Sequence, residues 1–161
     1  MEDFLNEYIK KILTTAGFSN FQIEIQTNKR DKRIRINVKL QDSENQKGTR
    51  DSGLLIGHQG EVLGAWEKLL SVLIQRKKGE LWRVNFDVNN YRMIYEEKLR
   101  EVARKAARQV ILSQRALELP PMSAKDRRVI HLEIALKSGV QSKSIGEGKE
   151  RRVVISPEEP F

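Results

Sequence analysis

The sequence predicts an α+β protein of two small modules, and three observations carry that prediction. Apolar residues recur at helical spacing in stretches such as "EDFLNEYIKKIL" and "EVLGAWEKLL". They alternate with polar residues in "FQIEIQ", "RIRINVKL" and "RRVVIS". After Asn89 and Asn90 the texture changes into one long run of strong helix formers. The expected order is α-β-β-α-α-β over residues 1–89, then a long helix, a short strand, a helix and a β-hairpin over residues 90–156, with 157–161 as a flexible tail.

Each element has its own warrant. Phe4, Leu5, Tyr8, Ile9, Ile12 and Leu13 form one helical face, and Gly17 is placed as its stop. Phe21, Ile23 and Ile25 share one face of a strand, as do Ile34, Ile36, Val38 and Leu40 of the next, with the polar turn "TNKRD" between them. The stretch "QDSENQKGTRDS" contains no apolar residue and reads as an exposed loop, followed by a short apolar turn, "GLLIG". From Glu61 to about Lys77, Val62, Trp66, Leu69, Leu70, Leu73 and Ile74 make a helical stripe that Gly79 ends before the strand "LWRVNFDV". Trp66 and Trp82 lie on apolar stripes and are assigned to the core. "YRMIYEEKLREVARKAARQVIL" is the long helix, and its Arg100, Arg104 and Arg108 stripe, flanked by Glu97 and Glu101, reads as a salt-bridged surface. "RALELPP" is a short extended piece. Ser123, with Asp126 three residues on, is then an N-cap for a helix running to about Lys137, before Gly139. "VQSKSI" and "RRVVIS" flank "GEGKE" as a hairpin.

Composition narrows the function. The 161 residues are 32% charged with a formal net charge of +8, which attracts polyanions, nucleic acid first and an anionic membrane surface second. Cysteine is absent, which excludes disulfides, thiolate metal sites and cysteine nucleophiles and suits a reducing compartment. The opening "MEDFLNEYIKKIL" is not a secretion signal, and no run approaches the ~18 apolar residues of a spanning helix, so a cytoplasmic protein without membrane insertion is expected. No catalytic residues, cofactor or metal are expected. The chain has no phosphate loop, HExxH or nucleophile elbow, and its two histidines are far apart.

Gly57, His58, Gln59 and Gly60 form a glycine-x-x-glycine turn between two helical patterns. Removing two β-carbons lets a nucleic-acid backbone approach the main chain while the N–H groups of the next helix face its phosphates. The motif alone is weak, and a plain inter-helix turn would also use it. Its position, after two strands and before a helix and a strand, resembles a type II KH domain, whose turn grips about four nucleotides. "LPPMSAKDRRVIHLEIAL" and "GVQSKSIGEGKERRVVI" resemble the second module of the bacterial Jag family, also called KhpB or SpoIIIJ-associated proteins. That module is named R-three-H after an Arg-x-x-x-His signature, here Arg127 and His131. Members usually carry a further N-terminal module, which is expected to be lacking here. Their turn commonly has a central lysine or arginine where this chain has His58 and Gln59, so phosphate attraction there is weaker at neutral pH.

Arg127 and His131 stand at i and i+4, on one helix face. Arginine offers phosphate a bidentate fork, and histidine can donate to phosphate or stack on a base. Spacing alone fits equally a half-buried histidine held by a backbone carbonyl beside a solvated arginine. The resemblance favours binding, and the candidate RNA-contacting residues are Gly57, His58, Gln59, Gly60, Arg127, Arg128, His131, Arg151 and Arg152. It further implies a non-catalytic single-stranded RNA-binding protein acting post-transcriptionally in cell envelope growth, cell shape and division. Pairing with a small single-KH protein or with a second copy is implied as well. The alternatives are an interaction adaptor or dimerisation module with nonspecific nucleic-acid affinity, and a single-stranded DNA binder.

Overall fold

The computed structural model describes residues 1–40 and 47–158, and the chain divides into two compact units, Met1–Arg92 and Met93–Phe161. The architecture is mixed helix and strand, in the α+β class that the sequence predicts.

In the first unit, helix α1 (Glu2–Thr15) places Leu5, Ile9 and Leu13 in the core. Strands β1 (Phe21–Asn28) and β2 (Arg33–Leu40) pair antiparallel, with Ile23 opposite Val38 and Ile25 opposite Ile36. Helix α2 (Lys47–Ile56), a single 3₁₀ turn at His58–Gly60 and helix α3 (Glu61–Lys78) then lead to strand β3 (Arg83–Val88). β3 pairs with β2 in parallel, and that pairing requires a long crossover, here made of α2 and α3. The core gathers Ile34, Ile36 and Val38 of β2, Leu55 of α2, Leu63, Trp66, Leu70 and Ile74 of α3, Trp82, and Phe86 and Val88 of β3. Trp66 stacks on Phe86 with ring centroids 5.0 Å apart, and Trp82 is also buried, so both tryptophans are core residues.

After β3, Asn89 and Asn90 both take positive φ, 51° and 55°, and turn the chain into helix α4 (Tyr91–Ser113). Short polar side chains tolerate this conformation because they bond locally. Asn89 Oδ1 accepts from the Leu40 N–H at 2.9 Å, and Asn90 Oδ1 accepts from Asn37 Nδ2 at 3.1 Å, so the turn is tied to β2.

In the second unit, α4 buries Ala103, Ala106, Ala107 and Val110. Strand β4 (Leu117–Glu118), helix α5 (Ala124–Ile134), strand β5 (Val140–Ile145) and strand β6 (Arg152–Pro157) follow. The sheet order is β4-β6-β5, with β5 and β6 a hairpin in which Ser142 faces Ile155 and Ser144 faces Val153. Ile130 and Ile134 of α5 close the core against Leu119, Val140, Val153 and Ile155. Ser123 Oγ caps α5 by accepting from the Asp126 N–H at 3.2 Å, as the sequence indicates.

Three expectations need correction. Residues 47–52 of the expected loop belong to α2, while 41–46 lie outside the described residues. A segment with no apolar residue becomes helical because Leu55 and Ile56 at its end pack into the core. α5 ends at Ile134 rather than near Lys137, because Leu136 and Lys137 turn to bond the Glu133 and Ile134 carbonyls. The tail is not loose from residue 157. Pro157 is in β6 and Glu158 bonds reciprocally with the Gly139 backbone, whereas 159–161 lie outside the described residues.

Two glycines predict opposite outcomes. A β-carbon on Gly57 would lie 2.5 Å from Val62 Cγ2 and 2.9 Å from the Val62 nitrogen, at φ 73° and ψ −179°. Gly64, inside α3, has open space around it. Gly57→Ala is expected to lower the stability by roughly 1–3 kcal/mol through strain and overpacking. Gly64→Ala is expected to raise it by up to about 1 kcal/mol. Paired urea titrations followed by circular dichroism check both signs.

Candidate nucleic-acid interface

In the glycine turn, Gly57, Gln59 and Gly60 all have positive φ, 73°, 51° and 85°. The chain thereby reverses within four residues, and Gly57 seats against Val62 on the first turn of α3. His58 and Gln59 are exposed at the tip. Gly60 is the N-cap of α3 and supplies no side-chain cap. The Glu61 N–H donates to the His58 carbonyl, and the amide groups that follow it in the first turn of α3 have no partner within the helix, in the arrangement that accepts an anion. Glu61, in the same first turn, places a carboxylate beside them. A β-carbon on Gly60 would meet nothing nearer than Tyr91 Cε1 at 3.7 Å, so this glycine serves its conformation, not packing.

In the second unit the signature residues hold the fold. His131 Nδ1 lies 2.7 Å from Ser142 Oγ and Nε2 lies 2.8 Å from Ser144 Oγ, so both ring nitrogens are engaged by hydroxyls two residues apart on β5. Alternate residues of a strand share a face, which brings both hydroxyls to one imidazole. Burial, with the nearby Arg127 guanidinium as a second cause, holds the His131 pKa below its ordinary value. The neutral ring is favoured, with one nitrogen donating and one accepting.

Arg127 donates from Nη1 to the Met122 carbonyl at 3.2 Å and to the Arg151 carbonyl at 3.5 Å. The histidine is half-buried but oriented by serine hydroxyls rather than a carbonyl, and the arginine grips the backbone instead of standing in solvent. Ser142 and Ser144 escape a reading by motif, and their only signal is the "SKS" alternation in the strand.

Beside the pair lies an open groove lined by Ala124, Arg127, Arg128, His131, Leu132 and Ser144. Arg128 is exposed there and has no ion-pair partner among the described residues. Arg151 is exposed and contributes its carbonyl to Arg127. Arg152 is turned to acids, 3.4 Å from Glu118 and 3.6 Å from Glu150. On α4, Arg100 pairs with Glu96 and Glu97, and Arg104 with Glu97 at 2.6 Å and Glu133 at 3.4 Å. Hydrogen bonds from Arg104 and Arg100 hold the Glu97 pKa below the usual carboxylate value. The structure thus brings Arg127, Arg128 and His131 into one groove and Gly57 through Gly60 into one turn, and leaves Arg152 engaged elsewhere.

Comparison with known proteins bears on this arrangement. Residues 97–157 match the R-three-H domain family. The curated RNA-binding protein KhpB of Clostridium symbiosum is 28% identical over 156 residues, covering 97% of this chain and 66% of that protein. KhpB of Bacillus subtilis (strain 168) is 36% identical over 107 residues, 65% of this chain and 51% of that protein. KhpB of Streptococcus pneumoniae (serotype 2, strain D39) is 33% identical over 110 residues, 68% of this chain and 34% of that protein. The chain belongs to the Jag/KhpB family. It spans from 34% to 66% of the length of these relatives. The matched R-three-H region contains the His131–serine contacts, the Arg127 clamp and the hairpin that both hold.

The lowered His131 pKa fixes a sign. Below an unfolded-state value of about 6.5 the unfolded chain binds a proton that the folded chain resists, so stability falls as pH drops through that value. His131→Gln is expected to remove that part of the pH dependence between about pH 7 and pH 5. Melting temperatures of both proteins across that range test it. At pH 7, Arg127→Ala is expected to lower stability by about 1.5–3 kcal/mol, the scale of hydrogen bonds made by a charged group.

Proposed function

We propose that this protein binds single-stranded RNA through two surfaces. The first is the glycine turn of the Met1–Arg92 unit, read as a type II KH domain, and the second is the groove of the R-three-H domain. One observation carries the reading: the exposed His58–Gln59 tip, flanked by positive-φ glycines, opens onto an α3 N-terminus that lacks a side-chain cap. The net charge of +8 favours a polyanion, and relatives in the family are named RNA-binding proteins. The turn contacts phosphate through main-chain N–H groups, and Arg128 adds a charged fork in the groove. His131 and Arg127 act by holding that groove's shape. The chemistry is binding, not catalysis, in the cytoplasm. By family resemblance it serves post-transcriptional control of envelope growth, cell shape and division.

A second reading, as a dimerisation or adaptor module, is favoured by exposed apolar residues on α4, where Met93 is 68% and Leu112 86% exposed. Light scattering of the purified chain, alone and with a small single-KH protein, tests it. Persistence of a lone monomer in both samples would count against it.

The turn is tested by His58→Asp/Gln59→Asp, whose exposed side chains leave the core untouched. Fluorescence anisotropy on single-stranded RNA and matched DNA is expected to show a loss of about tenfold or more in RNA affinity with an unchanged melting temperature, because two carboxylates would repel the phosphates. Full affinity would make the turn purely structural. Gly60→Asp should behave alike, because aspartate tolerates the left-handed conformation at a cost below the roughly 1–2 kcal/mol of bulkier residues. Glu61→Gln is expected to strengthen binding by removing a like charge from the phosphate's approach.

A further inference from the structure

The open face of the β1-β2-β3 sheet carries a concentration of cations that neither the turn nor the R-three-H groove uses. Strand alternation sends Ile34, Ile36, Val38, Phe86 and Val88 into the core, so Arg33 and Arg35 of β2 and Arg83 of β3 face the other way, and all three are exposed. The parallel register sets Arg33 directly opposite Arg83. Like charges directly opposite each other destabilise a sheet. None of the three has an ion-pair partner among the described residues. Acidic groups on the same face are committed elsewhere: Glu24 pairs with Lys39, and Asp87 Oδ1 accepts from the Val88 and Arg92 N–H groups. Lys29 and Arg30, in the adjoining β1–β2 turn, are exposed and extend the cationic area, whereas Asp31 is the one carboxylate within that turn.

Amides surround these arginines. Gln26 is opposite Arg35 and Asn28 opposite Arg33 on β1, and Asn85 is opposite Arg35 on β3. Arg33 and Arg35 line a shallow concavity with Gln26, Asn28 and Asp31. Arg33 and Arg35 repeat every second residue, about 6.6 Å along the strand, and Arg83 stands on the neighbouring strand about 4.8 Å away. Such an array suits an extended chain of phosphates. Guanidinium is the side chain best matched to phosphate, and the amides offer donors and acceptors to sugar and base edges. A lipid surface would ask instead for apolar side chains to insert, and this face presents arginines and amides.

We propose that Arg33, Arg35 and Arg83 form a third contact surface for single-stranded nucleic acid, on which a strand longer than the glycine turn can hold lays its phosphate backbone without sequence preference. The inference rests on the nucleic-acid reading above but on none of the residues that carry it.

The test compares the full chain with Arg33→Gln/Arg35→Gln/Arg83→Gln and with His58→Asp/Gln59→Asp, using a 30-nucleotide and a 5-nucleotide single-stranded RNA over a salt series. The triple variant is expected to flatten the log-log salt slope for the long RNA by about 2 and weaken it about a hundredfold at 0.1 M salt, since each lost contact is worth about 0.7 in slope. The short RNA should lose less than about threefold, because it does not reach these phosphate contacts. Because opposed like charges are removed, the melting temperature should hold or rise. A triple variant with the parent's slope and affinity on the long RNA overturns this inference and leaves the turn standing. Loss in the triple variant alone supports the sheet face and counts against the turn. A parent chain that binds neither RNA at 50 mM salt overturns both readings. If the triple variant loses only its co-sedimentation with phosphatidylserine vesicles while RNA binding is unchanged, the face is a membrane contact and the inference fails.

Discussion

The parallel pairing of β2 with β3 is the constraint on which the first unit depends. Two parallel strands cannot be joined by a hairpin, so the chain must leave the end of β2 and return to the start of β3 by a crossover. α2 and α3 make that crossover, and a tight reversal must lie between them. The reversal is where backbone geometry becomes demanding. Three of its four residues take positive φ, and Gly57 approaches Val62 too closely for any β-carbon. The candidate turn is thus a consequence of how the sheet is connected. Its exposed tip and uncapped helix start follow from a reversal made of glycine backbone instead of capping side chains.

The second unit solves a different problem, that of fixing one short helix on a three-stranded sheet. α5 has eleven residues and buries Ile130 and Ile134 from its apolar side. Its orientation is set by polar contacts at i and i+4: Arg127 reaches the carbonyl of Arg151 just before β6, and His131 reaches Ser142 and Ser144 on β5. The signature therefore ties the helix to both arms of the hairpin. Deleting either partner would leave polar groups without bonds, which costs more than the bonds themselves contribute. With the helix held this way, Arg128 and Leu132 are left on its open side, 61% of Leu132 remaining exposed beside the groove.

The parts of this architecture that were legible in the sequence are those with local causes. α1, β1, β2 and α3 follow from apolar period, the α5 cap from Ser123, and the glycine turn from its spacing. The reach of α2 back through residues 47–52 was not legible because its helical state there is imposed from outside. Residues 47–52 carry no apolar stripe, and the segment includes Gly48 and Gly53, each unfavourable in a helix by about 1 kcal/mol, so packing of Leu55 has to outweigh propensity. The positions of Arg127 and His131 were legible, but their contacts were not. Those contacts reach from α5 to residues eleven to twenty-four positions on, and nothing in the Arg-x-x-x-His spacing specifies a serine pair or a carbonyl as partner.

That division bears on how charge is used in a chain with an excess of eight positive groups. Several arginines are already occupied: Arg92 by Glu67 at 2.7 Å, Arg100 and Arg104 by acids along α4 and α5, Arg127 by carbonyls, and Arg152 by Glu118 and Glu150. An occupied guanidinium gives little to a phosphate, because the incoming anion must first replace bonds already made. The cations without such partners among the described residues include Arg128 in the groove and Arg33, Arg35 and Arg83 on the sheet, and the three on the sheet belong to no spacing that a motif search would select. Electrostatic attraction to a polyanion depends on the unoccupied set. In this fold, engaged and unengaged arginines are therefore sorted residue by residue, and the strongest sequence signature lies on an engaged pair.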